Sequence, residues 1–420
     1  MRVLWFTNTP SLGSEYLNAG NYTGGWIEAL EMQLKNLTDF KLAVAFNWPK
    51  VIDQFSIEGT KYYPIPFENK QQKAISTYNR LVHQIPSEKH IQKYLDVIHE
   101  FKPDIIHIFG TESDYGLIIP YITIPCVIHI QGNIIVYRYK WFSGISMYDL
   151  LKFTKKIPLL KGYGLYHDYL INKKVADREN RIFSYCKYFM GRTDWDRRLA
   201  SVLSVNSKYF HCDELMRSEF FKHQWKPILN SNTFTILSTI RNNIYKGLET
   251  IFDCKQLLEE KFPGKKIIWK IAGIAKMDEL VYIIEKIRKK NFRDLNIQLL
   301  GSLKEKELIG ELMKSNLFVH PSHIDNSPNS VCEGMLLGMP IIATYAGGIP
   351  SLITNKIDGL LVQDGDPYAL AGAIIELINN ETLSFTLGEN ARKRATIRHD
   401  QKKVVEDLLH CYRTILLDKN

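Results

Sequence analysis

The stretch that decides the fold runs from His320 to Thr344 and reads HPSHIDNSPNSVCEGMLLGMPIIAT. It ends a short apolar strand, continues as a polar loop and an apolar helix, and turns through a Gly-x-Pro step into another strand. A polar loop at the start of a helix presents backbone N–H groups, which form a natural anion site. Two carboxylates, Asp325 and Glu333, bracket this loop. A carboxylate accepts paired hydroxyl hydrogen bonds, so both residues suit a sugar or ribose diol.

Outward from this stretch, short runs rich in Val and Ile alternate with longer helical patterns. In the second half of the chain they predict helices at 248–261 and 367–378 and strands at 234–237, 267–272, 297–300, 317–319, 340–343 and 359–362. In the first half they predict strands at 3–7, 42–46, 105–109, 127–130 and 188–191. This βαβ alternation predicts an α/β protein with two doubly wound, mostly parallel sheets.

The pattern is interrupted by Pro, Asn and Ser between residues 226 and 232. We therefore predict two Rossmann-like domains, 1–228 and 229–420, with the last helix as a candidate for packing back on the first domain. A length of 420 residues agrees with two domains of roughly 100–200 residues each.

Composition excludes several classes of protein. A hydrophobic fraction of 45% and a charged fraction of 24% are typical of globular proteins and exclude disordered and fibrous chains. The six cysteines form no C-x-x-C pair, so a zinc knuckle or thioredoxin-like motif is not expected. The sequence shows no secretory signal and no run of about 20 apolar residues, so we expect a cytoplasmic protein.

The formal net charge of +9 is compatible with nucleic acid, anionic lipid or phosphorylated small molecules as partners. No zinc-finger or RNP motif is present, so nucleic acid is not expected. The segment 140–181 carries nine Lys and Arg residues against four Asp and Glu, with aromatic and aliphatic residues between them. This composition predicts peripheral contact with an anionic membrane. The alternative is a solvated insertion that packs on the first domain.

The loop and helix at 320–344 resemble the E-x7-E signature of family-4 retaining glycosyltransferases, which have the GT-B fold. This resemblance implies two Rossmann-like domains facing a cleft, with the acceptor bound by the N-terminal domain and the nucleotide sugar by the C-terminal one. It also implies that Asp325 lies near the donor sugar and that Glu333 binds the nucleotide ribose. Asp325 departs from the family pattern, because the family has the longer Glu at this position.

A second motif is similar to the same family. Residues 236–241, followed by Lys246-Gly247, resemble the family's strand ending in Gly-Arg with Lys-Gly five residues later, although Ile240 replaces the Gly. The resemblance implies that Arg241 and Lys246 neutralise the donor diphosphate. Fixed cations favour the negative charge that a departing nucleoside diphosphate gains.

Further donor contacts are expected around these motifs. The Gly301-Ser302 turn is similar to the one beside the nucleotide base in the family. Ser351 replaces the Glu of the family's G-G-x-x-E turn, so the role of that Glu is not carried over to this chain. The remaining residues expected to bind the donor belong to the polar loop or the helix after it, and are Asn326, Ser327, Asn329 and Ser330.

In the first half, Gly24-Gly25 opens the first helix and resembles the family's glycine loop, which lets the backbone approach the donor phosphate or the acceptor. We assign Gly25 to the donor and Gly24 to the acceptor. Gln131 stands where many relatives carry His and is assigned to the acceptor. A glutamine is a poor general base, and a retaining mechanism does not need a strong one.

The pair Asp194 and Asp196 has the D-x-D spacing of metal-binding GT-A enzymes. Arg192, Arg197 and Arg198 surround it and would oppose a divalent ion. We interpret it as a strand end and helix start, capped by Thr193 or Asp194, and expect no metal and no cofactor.

Together these features predict a retaining hexosyl transfer from a nucleotide diphosphate sugar, with Asp325, Arg241 and Lys246 as the catalytic residues. The resemblance implies a glycan or lipid-linked acceptor and a role in bacterial capsule or other surface polysaccharide synthesis, on the cytoplasmic side and with a possible site at the inner membrane face. Two alternatives remain open. One is a nucleotide-sugar 2-epimerase of the same fold, and the other is a non-catalytic, glycan-binding relative.

Overall fold

The computed structural model describes residues 1–17, 25–35, 37–66, 78–85, 90–228 and 232–418. The chain forms two compact units. The first unit comprises Met1–Ile135, Ile171–Ser218 and His399–Asn420, and the second comprises Val136–Leu170 and Glu219–Arg398. This division differs from the predicted boundary after residue 228, because residues 136–170 join the second unit and the C-terminal residues join the first.

The strands follow the predicted alternation. In chain order they are β1 (Arg2–Thr7), β2 (Lys41–Trp48), β3 (Phe55–Ile57), β4 (Thr60–Pro66), β5 (Ile105–Phe109), β6 (Cys126–His129), β7 (Tyr188–Gly191), β8 (Lys208–His211), β9 (Thr233–Thr239), β10 (Lys266–Ala272), β11 (Ile297–Gly301), β12 (Leu317–His320), β13 (Ile341–Thr344) and β14 (Leu360–Val362). All the predicted strands are present. The strands β3, β4 and β8 were not predicted.

The α-helices lie between these strands and after the last one. They are α1 (Gly13–Tyr16), α2 (Gly25–Leu34), α3 (Ile91–Phe101), α4 (Ile134–Lys140), α5 (Met147–Phe153), α6 (Lys156–Leu160), α7 (Leu165–Tyr185), α8 (Asp194–Leu203), α9 (Glu219–Lys222), α10 (Leu248–Lys261), α11 (Glu279–Arg288), α12 (Glu305–Met313), α13 (Asn329–Leu337), α14 (Ile349–Leu352), α15 (Pro367–Asn379), α16 (Glu381–Arg398) and α17 (Gln401–Leu417). Short 3-10 helices also occur at Tyr115–Tyr121, Ile244–Lys246 and Phe292–Leu295.

The first unit is built on an eight-stranded sheet in the order β3-β4-β2-β1-β5-β6-β7-β8. The strand β3 is antiparallel to β4, and the other described pairs are parallel. Helices cover both faces of a parallel sheet, so its inner strands are rich in apolar residues, as in the fully buried run from Val3 to Phe6. The chain places β2 on one side of β1 and later places β5 on the other. The topological switch point of this sheet therefore lies between β1 and β5.

The C-terminal helix α17 packs on this first unit, as the sequence suggested. Its Tyr412 hydroxyl accepts a hydrogen bond from Trp5 Nε1 at 3.0 Å and lies 2.6 Å from His107 Nδ1. All three side chains are buried. His107, on β5, is therefore a structural residue of the core.

The second unit contains a six-stranded parallel sheet in the order β11-β10-β9-β12-β13-β14. From β9 the chain adds β10 on one side and later β12 on the other, so the switch point lies between β9 and β12. Ligands of open α/β sheets bind outside the carboxyl ends of the strands at such a point. The loops after β9 and β12 are the ones that carry Lys246 and Asp325.

The structure contradicts the alternative that the segment 140–181 is an insertion packed on the first domain, because residues 140–170 belong to the second unit. Trp141, Ile145 and Leu150 lie in the same buried cluster as Ile240 and Leu248 of the second unit. The backbone N–H of Leu165 also donates to Glu279 Oε2 at 2.9 Å. These apolar side chains fill the second core, although their place in the sequence is next to the first. Among the helices of the described residues, none combines the length and the apolar character that crossing a bilayer requires.

Candidate functional site

The loops at the carboxyl edge of the second sheet contact one another directly. The backbone N–H of His323, after β12, donates to Tyr245 O, after β9, at 2.9 Å. The N–H of Gly348, after β13, donates to Asp325 O at 2.9 Å. Three of the predicted motifs therefore meet at the switch point of the sheet.

The centre of this region is an ion pair between two of the predicted catalytic residues. Lys246 Nζ lies 2.5 Å from Asp325 Oδ2, and the two side chains are 18% and 12% exposed. His320 Nε2 lies 3.1 Å from the same oxygen. The other carboxylate oxygen accepts a hydrogen bond from the Asn326 N–H at 3.1 Å. Asp325 thus holds the side chain of Lys246 at the edge of the sheet.

The electrostatics of the pair keep Asp325 ionised. Burial raises the pKa of the Asp325 carboxyl, but the charge of Lys246 and the hydrogen bond with His320 outweigh it and hold that pKa well below its ordinary value. Burial lowers the pKa of His320, against the opposing influence of Asp325, so this imidazole is neutral at pH 7. The site therefore contains a carboxylate and an ammonium in contact.

Asp325 does not cap the helix that follows its loop. Helix α13 begins at Asn329, and its N-cap position is Pro328, which offers no side-chain cap. The Asp325 oxygens instead contact Lys246, His320 and the backbone of Asn326. The function of Asp325 must accordingly be sought in its charge.

Arg241 lies in the same loop as Lys246 and has an exposed side chain. In the part of the chain that the structure describes, no hydrogen bond or ion pair engages its guanidinium. The turn between the two cations is fixed by the Asn243 N–H, which donates to Arg241 O at 2.7 Å. One loop therefore presents Lys246, which is paired with Asp325, and Arg241, which has no partner among the described residues.

The other predicted donor residues of the second unit differ in their degree of exposure. Gly301 has φ +68° and exchanges backbone hydrogen bonds of 2.7 and 2.9 Å with Gly273 and Ile274, so it sits beside the loop after β10. Ser302 is exposed, and Glu333 is buried within α13. The remaining members lie in the loop or first turn before Glu333, with Asn326 and Ser327 buried and Asn329 and Ser330 half-buried.

Two glycines allow these loops to approach so closely. Gly247 has φ +76°, and an added Cβ would collide with the carbonyl oxygen of Pro321. Gly347 has φ +57°, and an added Cβ would collide with the carbonyl oxygen of Asp325. Any larger residue would be strained at these φ angles and would displace the loop after β12, which carries Pro321 and Asp325.

Sequence reasoning missed a second network of polar side chains in this unit. His323 Nε2 lies 2.6 Å from Glu249 Oε1, and His323 Nδ1 lies 3.5 Å from Asp364 Oδ2. Asp364 in turn pairs with Lys140 of α4 at 3.1 Å. Burial lowers the pKa of His323, but the hydrogen bond and charge of Glu249 reverse this, and the net pKa is raised. Glu249 follows the Lys-Gly motif by two residues, which is the only signal the sequence offers.

The first unit presents its own polar group at the carboxyl edge of its sheet. Gln131 follows β6, and its backbone carbonyl oxygen accepts a hydrogen bond from the Arg192 guanidinium at 3.0 Å. The Glu112 carboxylate lies over Gly110, which is also next to the Gln131 side chain. Burial raises the pKa of Glu112. Sequence reasoning missed Glu112, although it follows the predicted strand 105–109 directly.

The glycine loop is only partly described. Gly24 lies outside the described residues, so its assignment to the acceptor stays a prediction. Gly25 begins α2 with φ +54°, and an added Cβ would meet none of the described residues within 4 Å.

The D-x-D pair is a helix start, as predicted. Thr193 is the N-cap of α8 and accepts a hydrogen bond from the Asp196 N–H at 3.2 Å. Asp196 Oδ2 accepts from the backbone of Arg192 at 2.8 Å and of Thr193 at 3.2 Å. Asp194 is exposed and pairs with Arg197 at 3.2 Å. Burial raises the pKa of Asp196 to about 6.

Comparison with solved structures shows the class of fold. Sucrose-phosphate synthase from Thermosynechococcus elongatus matches with a TM-score of 0.71 and 14% identity, over 100% of both chains. Alr3699/HepE from Anabaena, solved in complex with UDP, matches with a TM-score of 0.62 and 16% identity, over 99% of this chain and 100% of that one. The fold is that of the two-domain GT-B glycosyltransferases.

The sequence comparisons point to the same class. Residues 219–394 match the family model described as glycosyl transferases group 1. The capsular polysaccharide biosynthesis glycosyltransferase CapM of Staphylococcus aureus is 36% identical over 101 residues, which are 24% of this chain and 27% of CapM. The chain therefore aligns with little more than a quarter of the length of this curated relative. The matched family segment contains Arg241, Lys246, Asp325 and Glu333.

Proposed function

We propose that this protein is a retaining glycosyltransferase that moves a hexosyl group from a nucleotide diphosphate sugar to a glycan or lipid-linked acceptor in bacterial surface polysaccharide synthesis. The observation that carries the proposal is the contact between Lys246 and Asp325 at the switch point of the second sheet, with Arg241 in the same loop. A diphosphate needs cations beside it, and a glycosyl centre that gains positive charge needs a carboxylate.

The proposed reaction is balanced without a cofactor or a strong enzymic base. The acceptor hydroxyl oxygen forms a bond to the anomeric carbon while the bond from that carbon to the β-phosphate oxygen breaks. The hydroxyl proton passes to the departing phosphate oxygen on the same face. Arg241 and Lys246 stabilise the negative charge on the leaving group, and Asp325 stabilises the developing positive charge on the sugar.

The acceptor is assigned to the carboxyl edge of the first sheet. Gln131 and the half-buried Glu112 offer hydrogen-bonding groups beside each other at that edge. Burial raises the pKa of Glu112, and such perturbed carboxyls concentrate at functional sites. We assign to both residues hydrogen bonds with acceptor hydroxyl groups, and to Glu333 a contact with the donor ribose.

The comparisons support the choice of donor and pathway. The structural neighbour Alr3699/HepE was solved with UDP, and another structure of it with UDP-glucose, which favours a nucleotide-sugar donor. The name of CapM favours a role in capsule synthesis. A cytoplasmic location follows from the proposal, because nucleotide sugars are made there.

Two experiments test this function. A thermal-shift screen of nucleoside diphosphates should find one that stabilises the protein, by about 2.7 kcal/mol at a hundredfold excess over Kd. Incubation with the matching nucleotide sugar alone should then release the nucleoside diphosphate slowly, and an added acceptor should accelerate the release. A C2 epimer among the products would favour an epimerase, and binding without any release would favour a non-catalytic glycan-binding protein.

A further inference from the structure

Helices α5 and α6 carry an unusual outward surface on the second unit. We call it the basic apolar face, and it consists of the exposed side chains of Met147, Tyr148, Leu151, Lys152, Lys155, Lys156, Ile157, Leu160, Lys161 and Tyr163. Single exposed apolar side chains are common, but here exposed aliphatic and aromatic side chains recur along two consecutive helices, which favours an interaction surface.

The apolar part of this face is not needed by the core. None of the residues of α6 is buried, and its Ile157 and Leu160 are 67% and 75% exposed. Helix α5 buries only Leu150, while Tyr148 on the same helix is exposed. Part of the apolar side chains of this segment therefore packs inside the protein, and the rest is exposed to solvent.

The face is nevertheless held in place by its inner side. Trp141, Ile145 and Leu150 are buried in the core of the second unit. Ser146 caps α5 by accepting a hydrogen bond from the Asp149 N–H at 3.1 Å. The outward side chains are therefore presented by folded, anchored helices.

The charges of the face have one sign. Between residues 147 and 163 there are four lysines, all exposed, and a single acid, Asp149, whose carboxylate is engaged by the Ser146 hydroxyl at 2.7 Å. Lys152 Nζ lies 5.6 Å from the centre of the Tyr148 ring, so an ammonium and an exposed aromatic ring are neighbours. Among the described residues, no carboxylate forms an ion pair with Lys152, Lys155 or Lys156.

We propose that the basic apolar face docks this protein on an anionic lipid bilayer, with Ile157, Leu160 and Tyr148 entering the interfacial region. Interleaved lysines and aromatic or aliphatic residues match both parts of such a surface, its negative headgroups and its acyl boundary. This proposal does not rest on the proposed activity. It also confines the contact to part of the basic segment 140–181, because residues 171–181 belong to the first unit.

Vesicle co-sedimentation of the full chain tests the proposal. The protein should bind vesicles of phosphatidylcholine mixed with phosphatidylglycerol at low salt, and at least tenfold more weakly at high salt or with phosphatidylcholine alone, because salt screens exposed charges. Ile157→Ser with Leu160→Ser should weaken binding at least tenfold, and so should Lys155→Gln with Lys156→Gln. Each pair is exposed, so the thermal unfolding midpoint should not change.

Matched controls make the result specific. Val202 and Val205 of the first unit are 75% and 82% exposed, so Val202→Ser with Val205→Ser removes equally accessible aliphatic surface. Lys306→Gln with Lys402→Gln removes two other exposed lysines. Neither control should alter binding. Absence of wild-type binding to the anionic vesicles, or unchanged binding of the Ile157/Leu160 variant, would overturn the proposal. Self-association that this variant abolishes, without vesicle binding, would assign the face to a protein partner instead.

Discussion

Asp325→Asn removes the negative charge opposite Lys246 while it keeps the size of the side chain. The carboxylate lies 2.5 Å from Lys246 Nζ and 3.1 Å from His320 Nε2, and little of it is exposed. The new amide can still accept a hydrogen bond from the ammonium, but it no longer neutralises it. A diphosphate that reaches the loop then meets a cation without a competing internal anion.

This change has opposite effects on stability and on anion binding. Loss of one partner from a buried ion pair costs about 3–5 kcal/mol, and the retained amide contact favours the lower end of that range. A charged hydrogen bond is worth about 1.5–3 kcal/mol. Since ~1.4 kcal/mol is a factor of ten, releasing Lys246 to the phosphates should lower the Kd for the nucleoside diphosphate by about tenfold. Turnover should fall at least tenfold, because the sugar loses the carboxylate that supports its developing charge.

Titration calorimetry with the nucleoside diphosphate, urea unfolding and steady-state kinetics measure the three quantities on the same preparations. Asp325→Glu is the matched control, since it keeps the charge and should keep substantial activity. Lys246→Met should raise the Kd tenfold to a hundredfold. If Asp325→Asn left both Kd and kcat at wild-type values, the ion pair would have no part in donor binding or catalysis and the reasoning would be refuted.

Further predictions concern the surroundings of this pair. Gly347→Ala should cost about 1–3 kcal/mol and weaken donor binding at least tenfold, whereas Gly372→Ala, in an exposed turn of α15 with nothing within 4 Å, should be neutral or slightly stabilising in the same urea and calorimetry measurements. The raised pKa of His323 means that its stabilising contribution is complete below about pH 6.5 and is lost as the pH rises through the folded pKa. His323→Gln should accordingly lower the unfolding midpoint near pH 6, and the midpoint of this variant should fall less steeply toward alkaline pH than that of the wild-type protein. If the midpoints of both proteins fell equally with pH, His323 would not be the source of this pH dependence. Glu333→Gln should raise the donor KM more than it lowers kcat, and the opposite pattern would remove Glu333 from the ribose. Activity should survive EDTA, and a loss that Mn²⁺ restores would return Asp196 to consideration as a metal ligand.

Local patterns predicted some elements of the fold to the residue. The strand Ile105–Phe109 and the helix Leu248–Lys261 begin and end where the sequence indicates. Strand β4 (Thr60–Pro66) was missed because Pro64 and Pro66 argue against a strand, yet it pairs in parallel with β2. Pairing with a partner supplied by another part of the chain overrode the local signal.

Long-range packing explains the error in domain assignment. Residues 136–170 follow the first sheet in sequence, and their apolar pattern says only that they bury a face. The structure shows that Trp141 and Leu150 fill the core of the second unit. No local pattern encodes which of two cores a helix will join.

The sequence motifs predicted the residues of the candidate site, but not which of these residues contact one another. Arg241, Lys246 and Asp325 were found because they lie in recognisable motifs. The pairing of Lys246 with Asp325 joins residues 79 positions apart, and that of His323 with Glu249 joins residues 74 positions apart. Such contacts depend on the order of strands in the sheet, which the sequence did not specify.

The measurement that tests the central claim most directly is the anomeric configuration of the first product formed from the nucleotide sugar. Proton NMR at early times, before mutarotation, should show a sugar with the configuration of the donor, formed together with one equivalent of nucleoside diphosphate. Lys246→Met should form both products at least tenfold more slowly. An inverted product, or no cleavage of any nucleotide sugar by the wild-type protein, would contradict the account.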